Sequence, residues 1–470
     1  MHPSTTPDFF KIISRSLKAG LMILTILVLA LGLTAAPSQA ADSSGRGAQE
    51  SGSAADAVSA KKSQKAGNKA GKKSRHADKG KKARKGSKGK KRKGKKGKSS
   101  RAVSVRGTLA ALPPIVQPGL SPAAPSNNGA LVATFTPASP GQRVTLERRV
   151  GRRWKTVGSA TEDAWGSASF SPAPGTYRAR TTDGSRTWNT GTVTTTRWTP
   201  QFEDTFSGTD LDPAVWNDQK REHESVYAPR TCARVDRAAR RVQDGVLHLG
   251  VAADPERLGL PCNYSTPRKS GTSMYVLNSQ VATEFTRSFT HGTIAARMKP
   301  QRSKGMHSAL WLLPEGTTYQ DGNAAAGTEI DVMEFWGESA RGNDAIGAHI
   351  HYYEAGWEKV SHGALFPETR RALSQGREWW EEFHVFSVEW TPTEYVFRID
   401  GREYYRESNA VSQSGQYLVL SNLTSDYELS ELTQAKLSDT AQVDWIRVFE
   451  PKSIESARTT RGRVLRRSAR

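Results

Sequence analysis

Thr328-Glu329-Ile330-Asp331-Val332-Met333-Glu334-Phe335-Trp336-Gly337 places three carboxylates within six residues and fills the gaps with apolar side chains. On a regular strand, side chains alternate between faces, so Glu329 and Asp331 share one face. Strict alternation would put Met333, not Glu334, beside them. A β-bulge adds one residue to the strand and turns Glu334 back to the acidic face, and bulges are frequent beside active sites. A pair of carboxyls flanking one bond is what glycoside cleavage requires, one as general acid and one as nucleophile or base. Asp331, between the two glutamates, would help hold them in different protonation states. Spaced acids also serve as solvated faces or as calcium ligands. The aromatic bracket, Trp311 before the acids and Phe335-Trp336 after them, favours sugar chemistry, because a ring face stacks on a pyranose.

Outside this stretch the chain divides by composition. The formal net charge of +22 is unevenly placed. Residues 61–101 carry 21 Lys and Arg against one Asp, giving +20, whereas residues 199–450 carry 25 basic and 36 acidic residues, giving −11. The basic balance therefore describes a tail rather than the acidic domain, and it is no argument for nucleic-acid binding.

Residues 1–40 read as a signal peptide: Lys11, Arg15 and Lys18, then an apolar run, then Ser38-Gln39-Ala40 as a cleavage site. An uncleaved anchor is the rival reading, and no later stretch is long enough to span a bilayer. Secretion, with association with a cell wall and no stable membrane insertion after cleavage, is the expectation. Residues 41–125 form a Lys/Gly/Ser-rich tail and Pro-rich spacer that cannot bury a core and should be disordered. Outside a cytoplasm such a tail would meet anionic cell-wall or surface polymers. Residues 451–470, with six arginines between Arg458 and Arg470, read as a second basic tail.

Residues 126–198 show about six short alternating runs between turn residues, which predicts a small immunoglobulin-like β-sandwich. Trp154, Trp165 and Trp188 are its candidate sugar contacts or core residues. Residues 199–450 are rich in strand patterns, with one short helical candidate near 367–375. So many strands in one unit predict an all-β jelly-roll sandwich. Within it, Ile346–Tyr353 alternates so that His349 and His351 share a face, a pair with metal-binding spacing but no evident third ligand. Trp216, Trp311, Trp336 and Trp357 are candidate sugar platforms, while Trp216, Trp390 and Trp445 sit in patterns that suit the core. The two cysteines, Cys232 and Cys262, suit a disulfide in an exported chain and free thiols in a cytosolic one.

Glu329-Ile330-Asp331-Val332-Met333-Glu334 resembles the signature of glycoside hydrolase family 16 in its bulged form, as in laminarinases. Further landmarks stand in the family's order: Phe202–Phe206, Asp244–Leu247, His291–Lys299, His384–Trp390, Ile399–Gly401 and Val443–Val448. The resemblance spans residues 200–450, with Thr328 standing where the family more often has Gly. It implies a jelly roll with the acids on its concave sheet and a retaining endo-β-glycanase, with β-1,3-glucan the first substrate. It implies Glu329 as nucleophile, Glu334 as acid/base and Asp331 as the residue tuning the nucleophile; spacing alone also permits the two glutamates to exchange roles. It implies His351 as a cleft residue that hydrogen-bonds near the acids. Catalysis needs no cofactor, and Glu203 and Asp444 are candidate ligands for one structural calcium. A transglycosylase, or a non-catalytic sugar-binding protein on the same fold, are the alternatives.

Overall fold

The computed structural model describes residues 104–122, 126–184, 186–218, 229–315, 322–341, 344–354 and 358–451. The signal-peptide reading, most of the basic tail, the C-terminal tail and Trp357 fall outside these residues. Among the described residues no helix is long and apolar enough to cross a membrane.

The chain opens with β1 (Arg106–Leu112), β2 (Ala130–Thr136), β3 (Arg143–Val150) and β4 (Arg153–Thr161). It continues through β5 (Ser167–Phe170), β6 (Gly175–Asp183), β7 (Arg186–Asn189) and β8 (Val193–Thr195). These eight form two small antiparallel sheets, β1-β2-β5 and β4-β3-β6-β7, the second with β8 on β6. Leu109, Leu131, Phe135, Leu146, Tyr177 and Trp188 fill the space between the sheets. The first strand corrects the sequence reading, which left residues 106–112 in the spacer. Its Arg-Gly-Thr-Leu-Ala-Ala-Leu run buries alternate residues before Pro113-Pro114 ends it.

The second set begins with β9 (Phe202–Asp204), β10 (Asn217–Asp218), β11 (Ala233–Val235), β12 (Arg240–Gln243) and β13 (Val246–Ala253). It continues with β14 (Pro261–Ser265), β15 (Ser270–Met274), β16 (Val276–Ala282), β17 (Gly292–Lys299) and β18 (His307–Pro314). Then come β19 (Glu329–Phe335), β20 (Ile346–Tyr353), β21 (Lys359–Phe366) and β22 (His384–Trp390). The last are β23 (Tyr395–Ile399), β24 (Arg402–Glu407), β25 (Gln416–Leu423) and β26 (Thr440–Phe449). The segment expected to be helical is a single 3-10 element, Pro367–Ala372.

The ladder runs β21-β20-β19-β18-β25-β16-β13-β26-β17-β22-β23-β24. It folds back at β13, whose first half pairs with β26 and whose second half pairs with β16. The result is a nearly closed all-β jelly-roll sandwich. Alternation explains its core. Ile294, Ala296 and Met298 of β17 point inward with Leu310 and Leu312 of β18, Ile346, Ala348 and Ile350 of β20, and Leu418 and Leu420 of β25. Trp390 and Trp445 are buried, as their positions in the sequence suggested, and Trp216 is core rather than a sugar platform, its Nε1 donating to Asp204 Oδ2 at 2.8 Å. Cys232 and Cys262 form a disulfide with Cα atoms 5.8 Å apart, inside a satellite cluster with Val251, Tyr264, Val276 and Met306.

The two faces away from the core have different fates. One, built on β18–β21 and β25, carries the acids. The other is covered by the N-terminal strands. Leu112, Ile115, Ala130 and Val132 pack on Ala295, Val385, Trp445 and Phe449. Arg297, only 1% exposed, pins this contact: Nε donates to Gln117 O (2.6 Å), Nη2 to Ser121 O (2.9 Å) and Nη1 to Asp444 Oδ2 (2.6 Å). Asp400-Gly401 forms the β23–β24 turn with φ of 48° and 77°, left-handed values at both central residues. A Cβ at Gly401 would meet Val116 Cγ2 at 2.8 Å, so glycine is also needed for the close approach. Beside that turn, buried His384 sits between Asp400 Oδ2 (2.7 Å from Nδ1) and Glu382 Oε2 (3.5 Å from Nε2).

Replacing Arg297 by Met takes away a buried, hydrogen-bonded partner of Asp444 and should lower the unfolding free energy by about 3–5 kcal/mol. Urea denaturation of the full chain measures it; an unchanged midpoint would disprove the pin. Burial disfavours the charged form of His384, but Asp400 and Glu382 outweigh it and raise its pKa to about 9. Against an unfolded value near ~6.5, its stabilisation is complete below that pH and is lost as pH rises through about 9. The urea midpoint should therefore fall between about pH 7 and pH 9, a slope that His384→Gln should flatten.

Candidate active site

Strand β19 carries the acids, and its irregularity places them. Asp331 pairs with His349 and Glu334 with Gly347, with a register shift between them. The same shift appears against β18, where Leu310 faces Met333 and Trp311 faces Asp331. Ile330, Val332, Met333 and Phe335 all lie in the core. Two consecutive residues, Val332 and Met333, are thus sunk into the core. This extra residue returns Glu334 to the face of Glu329 and Asp331, as a bulge does. Asp331 (5% exposed) and Glu334 (9%) are buried.

The neighbouring strands supply the polar partners. On β20, His349 and His351 stack with ring centroids 5.6 Å apart at 11°. His349 Nδ1 makes a short hydrogen bond with Glu334 Oε2. His307, at the start of β18, places Nε2 3.1 Å from Glu334 Oε1. His351 Nε2 lies 3.4 Å from Asp331 Oδ2, and its Nδ1 is 2.8 Å from Ser361 Oγ on β21. Tyr404 donates to the carbonyl of Val332 at 3.3 Å, which secures the bulged backbone from below.

These surroundings split the three acids. Burial raises the pKa of Glu329, helped by Glu334 and opposed by the positive charges of Lys359 and Arg230. Burial raises Asp331 well above the usual carboxylate range, with Glu334 and Glu329 adding repulsion. Burial also acts on Glu334, but its contacts with His307 and His349 prevail and hold it below that range. One anion and two more basic carboxyls in one row is the arrangement that general acid–base chemistry uses.

Of the aromatic candidates, Trp311 is half-buried on the acid face, with Nε1 donating to Ser421 Oγ at 3.1 Å. Trp336 does not lie open. Only 8% exposed, it stacks on His307 at 4.5 Å and 11°, and the Arg341 guanidinium lies 4.7 Å from its ring. Its contact with His307 helps fix the imidazole beside Glu334, a correction to its reading as a sugar platform. In the N-terminal strands Trp188 is core and Trp154 lies under the Arg178 guanidinium at 4.6 Å.

Several contributors escaped the sequence reading. His307 lies 27 residues before Glu334 and has no motif of its own. Arg230 sits in a segment held by the disulfide at Cys232 and by Thr231, whose N and Oγ1 donate to Asp426 at 2.9 and 2.6 Å. Lys359 opens β21. Glu203 and Asp444 stand apart from this site, and each faces a guanidinium, that of Arg447 or Arg297. A calcium ion at those carboxylates would have to displace an arginine from each. Among the described residues, the group able to hold a metal is Asp331, His349 and His351.

Residues 254–447 match the family model described as glycosyl hydrolases family 16. The chain is 27% identical over 225 residues to a glucan endo-1,3-beta-glucosidase A1 of Niallia circulans, covering 44% of this chain and 29% of that protein. It is 26% identical over 219 residues to a beta-glucanase of Rhodothermus marinus, covering 45% and 65%. The chain thus spans less than two thirds of these curated relatives. Similar solved structures include the catalytic domain of an endo-1,3-beta-glucanase (laminarinase) from Thermotoga petrophila RKU-1, with TM-score 0.41, 21% identity and coverage of 55% of this chain and 99% of that one. Another is SCLam, a non-specific endo-beta-1,3(4)-glucanase, with TM-score 0.41, 19% identity and coverage of 54% and 92%.

Proposed function

We propose, from the premise that residues 254–447 belong to glycosyl hydrolase family 16, that this chain is a secreted endo-acting β-glucan hydrolase of the retaining type. The observation that carries the reading is the bulge that aligns Glu329, Asp331 and Glu334 on one polar face over an apolar core. β-1,3-Glucan is the first substrate, supported by the name of the Niallia circulans relative, while the name of the Rhodothermus marinus relative supports a β-glucan without the linkage. Trp311, which shares a face with the acids, would contact a sugar ring. The leader-like residues 1–40 support export, and the basic tail supports contact with anionic surface polymers.

In the proposed mechanism Glu329 attacks the anomeric carbon while Glu334 gives a proton to the departing glycosidic oxygen. Glu334 then takes a proton from water, which releases the glycosyl-enzyme with overall retention. Asp331, kept protonated by burial and its acidic neighbours, can donate a hydrogen bond to an adjacent carboxylate. Lys359 and Arg230 favour the anionic form of Glu329 that attack requires. A second reading exchanges the glutamates. It is favoured by the imidazole contacts that hold Glu334 as the anion while burial raises Glu329.

Reducing-end release by the full chain on laminarin, mixed-linkage glucan, agarose and xyloglucan tests the activity. Glu334→Gln should lower turnover about 10²–10⁴-fold, and Glu329→Gln should abolish it; near-normal turnover in either variant sinks the assignment. Azide separates the two readings. With an activated aryl glycoside, Glu334→Ala should give the retained glycosyl azide and Glu329→Ala the inverted one; the opposite outcome establishes the exchanged roles. Removing the Lys359 charge removes an interaction that lowers the Glu329 pKa. Lys359→Met should therefore move the acid limb of the kcat/KM profile to higher pH, and a limb unmoved or shifted down would count against Glu329 as the ionised nucleophile.

A further inference from the structure

We propose that Asp331, His349 and His351 form a three-ligand site for a divalent transition metal of the zinc type, and that the bound ion shuts the cleft. Each of the three offers one ligand atom, and these atoms all lie within 4.8 Å of one another. The pairing of β19 with β20 builds the group: Asp331 faces His349 directly, and His351 follows two residues on, on the same side. His351 Nε2 and Asp331 Oδ2 are 3.4 Å apart. That is the edge expected of a tetrahedron with metal bonds of about 2.0–2.1 Å. The sequence supplied the two histidines; the missing third ligand comes from the acid row across the strand pair.

The outer contacts match those of metal-bound imidazoles. A ligating histidine generally gives its second ring nitrogen to a carboxylate, hydroxyl or carbonyl that fixes the ring. Here His349 gives Nδ1 to Glu334, and His351 Nδ1 is 2.8 Å from Ser361 Oγ. Both outer contacts use Nδ1, which leaves Nε2 of each ring for an ion. Two imidazole nitrogens and one carboxylate suit zinc, copper or nickel, whereas calcium and magnesium demand shells of oxygen. Three protein ligands leave a fourth position for water.

An ion there would engage Asp331 and the imidazole that holds Glu334, on the floor where the sugar must lie. The inhibitory consequence rests on the proposed catalytic role of these acids, but metal binding does not.

Isothermal titration of the full chain with ZnCl₂, and separately with MgCl₂, tests the site. The expected result is one zinc ion per chain and no magnesium. His351→Gln should weaken zinc binding tenfold or more, and Ser361→Ala, which touches no ligand atom, by about tenfold. Zinc should also reduce glucan hydrolysis, with recovery on adding EDTA. No zinc uptake, or uptake unchanged in both variants, overturns the proposal. Zinc binding that weakens in the variants, in a chain that releases no sugar, would keep the metal site and retire the hydrolase reading.

Discussion

One extra residue in one strand governs the site. Without the bulge at Val332–Met333, a strand with this sequence would bury Glu334 in the apolar core or expose Met333 to the cleft. Either error is expensive: an unpaired carboxylate in a core costs several kcal/mol and a large apolar residue loses its burial. The bulge resolves the conflict by giving both Val332 and Met333 to the core. The pleat of β18 and β20 on either side then presents His307, His349 and His351 to the same face.

Because the acids lie on a packed apolar layer, their ionisation is set by the few polar groups within reach. Burial alone would make all three reluctant to ionise. The imidazoles reverse that for Glu334, while Lys359 and Arg230 only moderate it for Glu329. Those cations come from distant parts of the chain, one in the segment tethered by the Cys232–Cys262 disulfide and one at the start of β21. The site therefore depends on the closure of the sandwich and not on the β19 strand alone.

The opposite face shows the same economy with charge. Arg297 and Arg447 point away from the core, and each is buried, capped by the backbone carbonyls of Gln117, Ser121 or Ser126 and by Asp444 or Glu203. Together with the contact of Val132 and Ile115 on Trp445 and Val385, they join the N-terminal strands to the sandwich as one packed body. Two of the landmark residues used to recognise the domain, Arg297 and Asp444, meet at that contact.

The sequence by itself determined the all-β class, the jelly roll, the acid row and the need for a bulge within it. These follow from strand periodicity, which is local and can be read from a few consecutive residues. It also presented His349 and His351 as a same-face pair, and Trp216, Trp390 and Trp445 as core residues. What only the tertiary structure decided was which distant groups meet. His307 beside Glu334, Arg230 and Lys359 around Glu329, the stacking of Trp336 on His307, and the guanidinium partners of Glu203 and Asp444 all join residues far apart in the chain. No periodicity records such pairs, because they are fixed by the register between strands and by the closure of the two sheets. The strand at Arg106–Leu112 was missed for a related reason. Seven residues ending in Pro-Pro carry too little pattern, and their strand character comes from pairing with Ala130–Thr136.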